Sequence, residues 1–446
     1  MKFLIASSGI PGHLNPLLAV ASILMKHNHE VAVQTSAELR PIVEAAGVPF
    51  ISEIPEADTF VGRFISEHPE RATKAPGMEM TGYDLEHFFA SMIPVQAAGL
   101  ELALRDFPVD VILADSFYWG TLPMLLRSRD KRPAIVHLGI SVLNLCSGKN
   151  VPILPGSSEK ERLTERERRE RLMLRPTQAA VDKALAKLGC GPLPCPALES
   201  MSLLPDLYLH PGIESFEYPD PSSSSSRVHY VGPLPLPPGQ AQLPHWWYEL
   251  DKTKYLVLVT QGTIANRDFR QLIEPTLTGL SKDKDLIVMA TTGGQSIESI
   301  SVDIPANARV AEFMPFEQIM PSVDLLITNG GYGTVNMALA NGIPIICAGM
   351  TEDKEEVSAH VQWAGVGIDL RTNQATPEAV RRATREIREN RVYQHRAQEL
   401  EREFASHNAE EELLKLLVSE RSIQNEMMVH ADSLEDRSPT VADLSR

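Results

Sequence analysis

The stretch VDLLITNGGYGTVNMALANGIPIICAG, residues 323–349, carries most of the information about the fold. Residues 323–328 are a short apolar run with branched side chains, which is typical of a buried strand. A turn with three glycines in five residues follows, and residues 334–341 then have the pattern of a helix with Gly342 beyond its end. A second apolar run at 343–348 completes a strand–turn–helix–strand unit. The sequence therefore predicts an α/β protein with a parallel sheet.

The glycine-rich turn reads Asn329-Gly330-Gly331-Tyr332-Gly333 and precedes the helix directly. The first amides of a helix have no partner within it, and the helix dipole adds partial positive charge at that end. A phosphate fits such a position, although a tight turn that binds nothing has the same local pattern. The spacing matches neither the G-x-G-x-x-G of dinucleotide sites nor the G-K-[ST] of the P-loop.

The flanks of this unit add a resemblance to a known family. Phe313-Met314-Pro315 lies upstream, and the acidic pair Glu352-Asp353 followed by Lys354 lies downstream. The order F-x-P, D-L-L-I-T-N-G-G-x-G-T, G-I-P and an acidic pair resembles the donor-binding signature of family 1 glycosyltransferases. It closely resembles the group that acts on macrolides and other natural products, most strongly over residues 255–370. The resemblance implies a GT-B fold and an inverting, metal-independent enzyme that uses a nucleotide-sugar.

The implied GT-B architecture has two Rossmann-like parallel-sheet domains that face each other across a cleft, with a C-terminal helix returning to the first domain. We predict an acceptor-binding domain at 1–220 and a nucleotide-sugar-binding domain at 246–418. Between them, 221–245 is rich in serine and proline, which indicates a linker without a core of its own. Residues 419–446 are polar and aperiodic, so we expect a disordered tail.

Two residues near the N-terminal sheet are candidates for catalysis. His13 follows the apolar run 2–8, and Asn15 and Pro16 have the pattern of an N-cap and a first helical residue. Asp115 directly follows the apolar run 109–114, where it also suits a helix N-cap. Both are therefore predicted at the carboxyl edge of a parallel sheet, where ligands bind. The positive end of the helix favours a neutral imidazole at His13, although an exposed turn histidine fits the same position.

The family resemblance assigns roles to these positions. Family 1 enzymes have a histidine in a G-H-x-x-P context and an aspartate about one hundred residues later, and both match here. The resemblance implies that His13 takes the acceptor proton and that Asp115 orients it. It further implies that Phe313 stacks on the base, that Asp353 binds sugar hydroxyls, and that the remaining matched positions complete the donor site: Gly262, Thr263, Met314, Asn329, Gly330, Gly331, Gly333, Thr334 and Lys354.

Three positions depart from the family pattern. Asn329 replaces a common histidine, Met337 replaces the glutamate that binds ribose, and Lys354 replaces a common glutamine. Uridine and deoxythymidine nucleotides thus both remain candidates. Two alternatives for single residues also stay open: a core-facing Phe313 and a solvated loop carboxylate at Asp353.

The composition of the 446-residue chain limits the classes of function. A net charge of −16 argues against nucleic acid or an anionic membrane as a partner. No apolar run is long enough to span a bilayer, and the N-terminus enters a predicted strand without the cleavage pattern of a signal peptide. The four cysteines lack CxxC spacing, as expected of free thiols in a reducing compartment. We therefore expect a cytoplasmic protein.

The sequence predicts neither a metal site nor a bound cofactor. The expected co-substrate is a nucleotide-sugar, with UDP-glucose favoured, and the expected acceptor is a small hydrophobic molecule with a hydroxyl group, such as a natural product or a sterol. Two other functions fit the fold: a GT-B nucleotide-sugar epimerase, which would need a catalytic carboxylate near the sugar, and an inactive nucleotide-sugar-binding partner protein.

Overall fold

The computed structural model describes residues 1–143, 158–219, 228–235, 242–263 and 266–418. It contains two sheets in which every described strand pair is parallel. The first sheet comprises β1 (Lys2–Ala6), β2 (Glu30–Thr35), β3 (Phe50–Ser52), β4 (Val111–Asp115), β5 (Ala134–Leu138), β6 (Leu207–His210) and β7 (Val228–Tyr230). The second comprises β8 (Tyr255–Thr260), β9 (Leu286–Thr291), β10 (Ala308–Ala311), β11 (Leu325–Thr328), β12 (Ile345–Cys347) and β13 (Gly367–Asp369).

Helices connect the strands on both faces of the sheets. Those of the first domain are α1 (Pro11–Lys26), α2 (Arg40–Ala45), α3 (Val61–Glu67), α4 (Met78–Asp84), α5 (Ser91–Asp106), α6 (Leu122–Leu125), α7 (Glu159–Arg169), α8 (Arg175–Lys187) and α9 (Ser200–Leu203). Those that follow β8 are α10 (Ile273–Leu280), α11 (Phe316–Ile319), α12 (Tyr332–Leu339), α13 (Lys354–Trp363), α14 (Pro377–Glu389), α15 (Arg391–Phe404) and α16 (Ala409–Val418).

The two sheets have the same topology. The strand order is β3-β2-β1-β4-β5-β6-β7 in the first and β10-β9-β8-β11-β12-β13 in the second. Both contain the doubly wound 3-2-1-4-5-6 order, so the direction of winding reverses between β1 and β4 and between β8 and β11. The predicted pair of Rossmann-like domains is confirmed. In such sheets ligands bind outside the carboxyl ends of the strands at the reversal point.

Helix α16 returns from the second domain to the first, as the predicted fold requires. Its Leu413 and Leu417 are fully buried in the apolar cluster formed by β1, α1 and neighbouring strands. At the surface, the ammonium of Lys26 lies 2.7 Å from the carboxylate of Glu410. The buried leucines are the larger contribution, because an exposed ion pair typically stabilises by less than about 1 kcal/mol.

The first helix begins earlier than the sequence pattern predicts. Asn15 and Pro16 were predicted as N-cap and first helical residue, but α1 begins at Pro11 and encloses Pro16. Pro11 suits a first helical position because its φ is fixed and the amide it lacks has no partner there. Burial of Leu14, Leu17 and Leu18 holds the turn that contains Pro16. His13 therefore lies in the first turn of the helix.

The predicted linker contains one strand of the first sheet. Val228–Tyr230 pairs with β6, and Val231 is fully buried. The segment forms a strand because it pairs with the edge of β6. The serines and prolines on either side of it gave no strand pattern in the sequence. The serine run and half of the proline-rich run, residues 236–239, fall outside the described residues, as does the predicted tail at 419–446.

A continuous helix, Met78–Asp106, precedes β4. It includes a π-helical stretch at Leu85–Ala90 between α4 and α5. Its length and apolar composition would suffice for a membrane span, which is weak evidence because core helices pass the same test. Here Ile93 and Leu100 are buried in the core of the first domain.

Candidate active site

The predicted catalytic pair lies at the reversal point of the first sheet. The Nδ1 of His13 is 3.2 Å from the Oδ1 of Asp115, and the imidazole retains 13% of its exposure while the carboxylate has none. Asp115 also accepts hydrogen bonds from the backbone amides of Ser8 (2.7 Å) and Phe117 (2.9 Å). The structure thus brings the two predicted residues together.

The environment keeps Asp115 ionised. Burial alone would raise the pKa of Asp115, but the attraction and hydrogen bond of His13 and the two amides lower it below its usual value. An ionised carboxylate only accepts, so the Nδ1 of His13 carries the proton. The other nitrogen, Nε2, is then free to accept one, which is the tautomer that a general base needs.

Aromatic side chains surround the imidazole. The ring of Phe89 is nearly parallel to that of His13, at a centroid distance of 6.0 Å, and the ring of Phe117 lies at the same distance with a tilt of 50°. Trp119 is fully buried behind these rings, 6.1 Å from Phe89 between centroids. Phe89 belongs to the π-helical stretch, a distortion often found at functional sites. Because Phe117 is also buried, the partly exposed ring of Phe89 is the apolar surface beside the proton acceptor.

The glycine-rich turn lies at the reversal point of the second sheet. Gly330 has φ +91°, and a Cβ there would lie 2.8 Å from the Oγ of Ser358, so the turn requires glycine. Gly331 precedes α12, and a Cβ on Gly333 would meet nothing within 4 Å. Thr334 lies in the first turn of α12. Open space therefore faces the positive end of this helix, as phosphate binding requires.

The loop after β8 lies beside this turn. The Nδ2 of Asn329 donates to the backbone carbonyl of Gln261 at 2.6 Å, and Gly262 follows with φ +70°. Thr263 is exposed. Asn329 thus joins the two predicted phosphate-binding loops, a function that the sequence pattern does not reveal.

The structure places Phe313 and Met314 differently. Phe313 is 55% exposed and lies beside Gly294, where a Cβ would approach the ring to 2.6 Å, so the core-facing alternative is wrong. Met314, in contrast, is buried in the apolar core. An exposed ring fits the predicted stacking on a nucleotide base.

The predicted sugar-binding pair contacts the first domain. The Oδ2 of Asp353 accepts a hydrogen bond from the hydroxyl of Ser141 at 2.6 Å, which excludes a merely solvated carboxylate. Lys354 forms a close ion pair with Glu352, which also lies 3.5 Å from Arg71 of the first domain. Burial alone would lower the pKa of Lys354, but the adjacent carboxylates raise it, so the ammonium stays charged.

Two residues that join the carboxyl edges of the sheets, Ser141 and Arg71, were not predicted from the sequence. Ser141 follows β5, so the edge rule that found Asp115 would have found it. Arg71 gives no such signal. It is oriented by two hydrogen bonds of 2.7 Å to Asp84, 13 residues away on α4.

Residues 277–419 match the family model described as Erythromycin biosynthesis protein CIII-like, C-terminal domain. The chain is 34% identical to UDP-glycosyltransferase 2 of Phaeomoniella chlamydospora over 427 residues, which cover 91% of this chain and 92% of that protein. It is 33% identical to 4'-demethylrebeccamycin synthase of Lentzea aerocolonigenes over 421 residues, which cover 92% of this chain and 96% of that protein.

Solved glycosyltransferases share the fold. The spinosyn rhamnosyltransferase SpnG has a TM-score of 0.67 at 19% identity, covering 94% of this chain and 100% of its own. The calicheamicin glycosyltransferase CalG4 also has a TM-score of 0.67 at 19% identity, covering 94% of this chain and 99% of its own. The structures establish the fold, and the two relatives above 30% identity establish the family. The chain is a glycosyltransferase that belongs to family 1, with the GT-B fold.

Proposed function

We propose that the protein moves a hexose from a UDP-sugar, with UDP-glucose favoured, to a hydroxyl of a small apolar acceptor such as a natural product or a sterol-like molecule. The reaction inverts the anomeric centre and needs no metal. The observation that carries this proposal is the contact between His13 and Asp115, which leaves one imidazole nitrogen as a proton acceptor in an aromatic-lined site.

The proposed step is one direct displacement. The acceptor oxygen forms a bond to the anomeric carbon while the bond from that carbon to the diphosphate oxygen breaks, and the nucleoside diphosphate leaves with the electron pair. The Nε2 of His13 receives the hydroxyl proton, and Asp115 stabilises the imidazolium that forms. A positioned general base supplies about 10²–10⁴-fold in rate. A single displacement inverts the configuration.

The second domain holds the leaving group in this proposal. The amides at the beginning of α12 and the loop at Gly262 and Thr263 stabilise the charge that develops on the diphosphate. This arrangement replaces the metal ion that other transferases use. The printed names of the relatives support UDP, while one structure of SpnG holds thymidine diphosphate, so both nucleotides belong in the test.

The ring of Phe89, which is partly exposed and packs against the buried Phe117 and Trp119, supports an apolar acceptor. Aromatic surfaces bind apolar ligands by excluding water, and the hydroxyl to be glycosylated would be the polar group directed at His13. The cytoplasmic location and the absence of a bound cofactor remain predictions from the sequence.

The proposal is tested by incubating the protein with UDP-glucose or TDP-glucose and a panel of phenolic and alcoholic acceptors. Free nucleoside diphosphate together with a product heavier by one hexose, measured by mass spectrometry, is the expected result. Interconversion of the sugar nucleotide without release of diphosphate would support an epimerase. Thermal stabilisation by UDP without turnover of any acceptor would support a binding protein. No specific contact favours either alternative.

A further inference from the structure

One buried carboxylate links the two domains. The Oε1 of Glu217 lies 3.0 Å from the Nε2 of His210, and its Oε2 lies 3.4 Å from the Nε2 of His360 and 3.0 Å from the backbone nitrogen of Leu143. His210 is in β6 of the first domain and His360 in α13 of the second. Both imidazoles are fully buried, and only 4% of the Glu217 side chain is exposed.

The contacts determine the protonation states of this cluster. Burial would raise the pKa of Glu217, but the two histidines lower it to about 2, so the carboxylate is ionised. The Nδ1 of His360 lies 2.8 Å from the backbone carbonyl of Glu356. Its Nε2 lies 3.4 Å from the Oε2 of Glu217, which is within ion-pair distance but makes no hydrogen bond among the described residues. The carboxylate of Glu217 raises the pKa of His360 and so favours the imidazolium.

His210 joins this carboxylate to the second domain. Its Nε2 lies 3.0 Å from the Oε1 of Glu217 and 2.9 Å from the hydroxyl of Tyr332. An ionised carboxylate only accepts, so this nitrogen donates to Glu217. Within the described residues the Nδ1 of His210 has no hydrogen-bond partner.

These contacts reach both helices of the proposed donor site. Tyr332 is the first residue of α12, whose beginning faces the diphosphate, and His360 lies on α13, which follows Asp353 directly. Leu143, whose backbone amide donates to Glu217, lies two residues after Ser141, which donates to Asp353. One carboxylate thus ties the phosphate-binding and the sugar-binding helix to the domain that carries the base.

We propose that Glu217 is a positioning residue that fixes the donor helices α12 and α13 against the domain carrying His13, and so aligns the base with the anomeric carbon. This inference rests on the proposed transfer reaction. A displacement of about 1 Å in the reacting geometry can cost about 10²-fold in rate. A buried charge that loses its partner is strongly destabilised, so the loss of His360 would shift the interface.

The arrangement depends on pH through His360. The groups that face it are Glu217, Glu356 on its own helix, and Tyr218, whose ring lies 3.8 Å away between centroids. Arg169 of α7 faces Glu356 at 3.5 Å. Burial alone would lower the pKa of His360, but Glu217 and Glu356 raise it. The ion pair between His360 and Glu217 is therefore lost as pH rises through the raised pKa of His360, so transfer slows on the alkaline side.

The test uses the full chain and the variants Glu217→Gln, His360→Gln and the double variant. For each, kcat and KM for UDP-glucose are measured with one acceptor across acid to alkaline pH, with UDP affinity by calorimetry and stability by thermal unfolding. The control is Glu412→Gln, which alters a partly exposed carboxylate 3.0 Å from the Nδ1 of His407. All variants are compared with the same acceptor, so any ionisation of the acceptor affects every pH profile equally.

Each single variant at the domain interface is expected to lower kcat by up to about 10²-fold while UDP affinity changes little. Each should also lose the alkaline decline of the wild type, and the double variant should be no slower than the slower single variant. Wild-type kcat with an unchanged alkaline decline in Glu217→Gln would overturn the inference. Should that variant not fold, the same outcome in His360→Gln would overturn it. A wild-type protein that transfers sugar to no acceptor would overturn the proposed function, and this inference with it.

Discussion

The Nδ1 of His13 lies 3.2 Å from the Oδ1 of Asp115, although 102 positions separate the two residues in the chain. One belongs to the first turn of α1 and the other ends β4, which is the direct neighbour of β1 in the sheet. The parallel pairing of these strands brings both side chains to one edge. The contact fixes the imidazole as a base and gives the first prediction.

Replacing His13 with alanine should lower kcat for transfer to alcohols by about 10²–10⁴-fold, because the acceptor proton loses its recipient. The affinity for UDP should change little, since the phosphates bind in the other domain. Turnover and calorimetry measure the two effects, with the exposed His395→Ala as a control. A parallel collapse of UDP affinity would mean that His13 serves donor binding.

Asp115→Asn should reduce both rate and stability. The new amide would direct donors at groups that now donate to the carboxylate, namely His13 and the backbone of Ser8 and Phe117. A buried donor without an acceptor costs about 1–3 kcal/mol. Because the pKa of Asp115 is lowered, its contribution in the wild type is lost only as pH falls through that low value. Asp110→Asn, which alters an exposed contact to the backbone of Lys2, should change little in kcat or melting temperature.

Substitution of two glycines in the predicted donor turn should have different effects on stability and on UDP binding. Gly330→Ala combines a positive φ with a Cβ 2.8 Å from the Oγ of Ser358, so it should lower the free energy of unfolding by roughly 1–3 kcal/mol and weaken UDP binding. In Gly333→Ala the Cβ enters open space at the beginning of α12. Stability should stay near that of the wild type while UDP binding weakens. Unchanged UDP affinity in both variants would remove this turn from the donor site.

The stability of the first domain should depend on Glu53. Burial raises its pKa to about 7, although Tyr118 donates a hydrogen bond of 2.6 Å to it. The folded chain thus holds this proton more tightly than the unfolded one, and stability falls as pH rises from about 4.5 to about 7, by about 3 kcal/mol.

Glu53→Gln should therefore melt at a higher temperature than the wild type above neutral pH and show no such difference in acid. Thermal unfolding across pH measures this, with the exposed Glu56→Gln as the matched control. An identical pH dependence in Glu53→Gln and the wild type would contradict the assignment of the titration to this carboxyl.

Transfer should persist in EDTA. In the proposed reaction the backbone amides at the beginning of α12 stabilise the charge of the leaving diphosphate, so no metal ion is required. Initial rates with and without chelator, followed by readdition of Mg²⁺ or Mn²⁺, measure the requirement. A rate that vanishes with EDTA and returns with Mn²⁺ would contradict the metal-independent mechanism.

Sequence patterns predicted the elements of the site better than their bounds. The glycine-rich turn is recognisable in the sequence because the backbone has a positive φ at Gly330 and lies close to the segment at Lys354 and Ser358. His13 and Asp115 were identified because apolar strands precede them. The predicted start of α1 was wrong because Pro11 and Pro16 both suit a first helical residue. The burial of the leucines between and after the two prolines decides that the helix begins at Pro11.

The sequence by itself determined the α/β class, the two parallel sheets and the carboxyl-edge placement of the candidate residues, because burial in strands and helices imposes local periods on the chain. The return of the C-terminal segment to the first domain was implied by the family resemblance. Only the tertiary structure decided that Ser141 meets Asp353, that Asn329 joins two loops, and that Glu217 lies between His210 and His360. These contacts join residues that no local period relates, since they depend on how two separately folded sheets pack against each other.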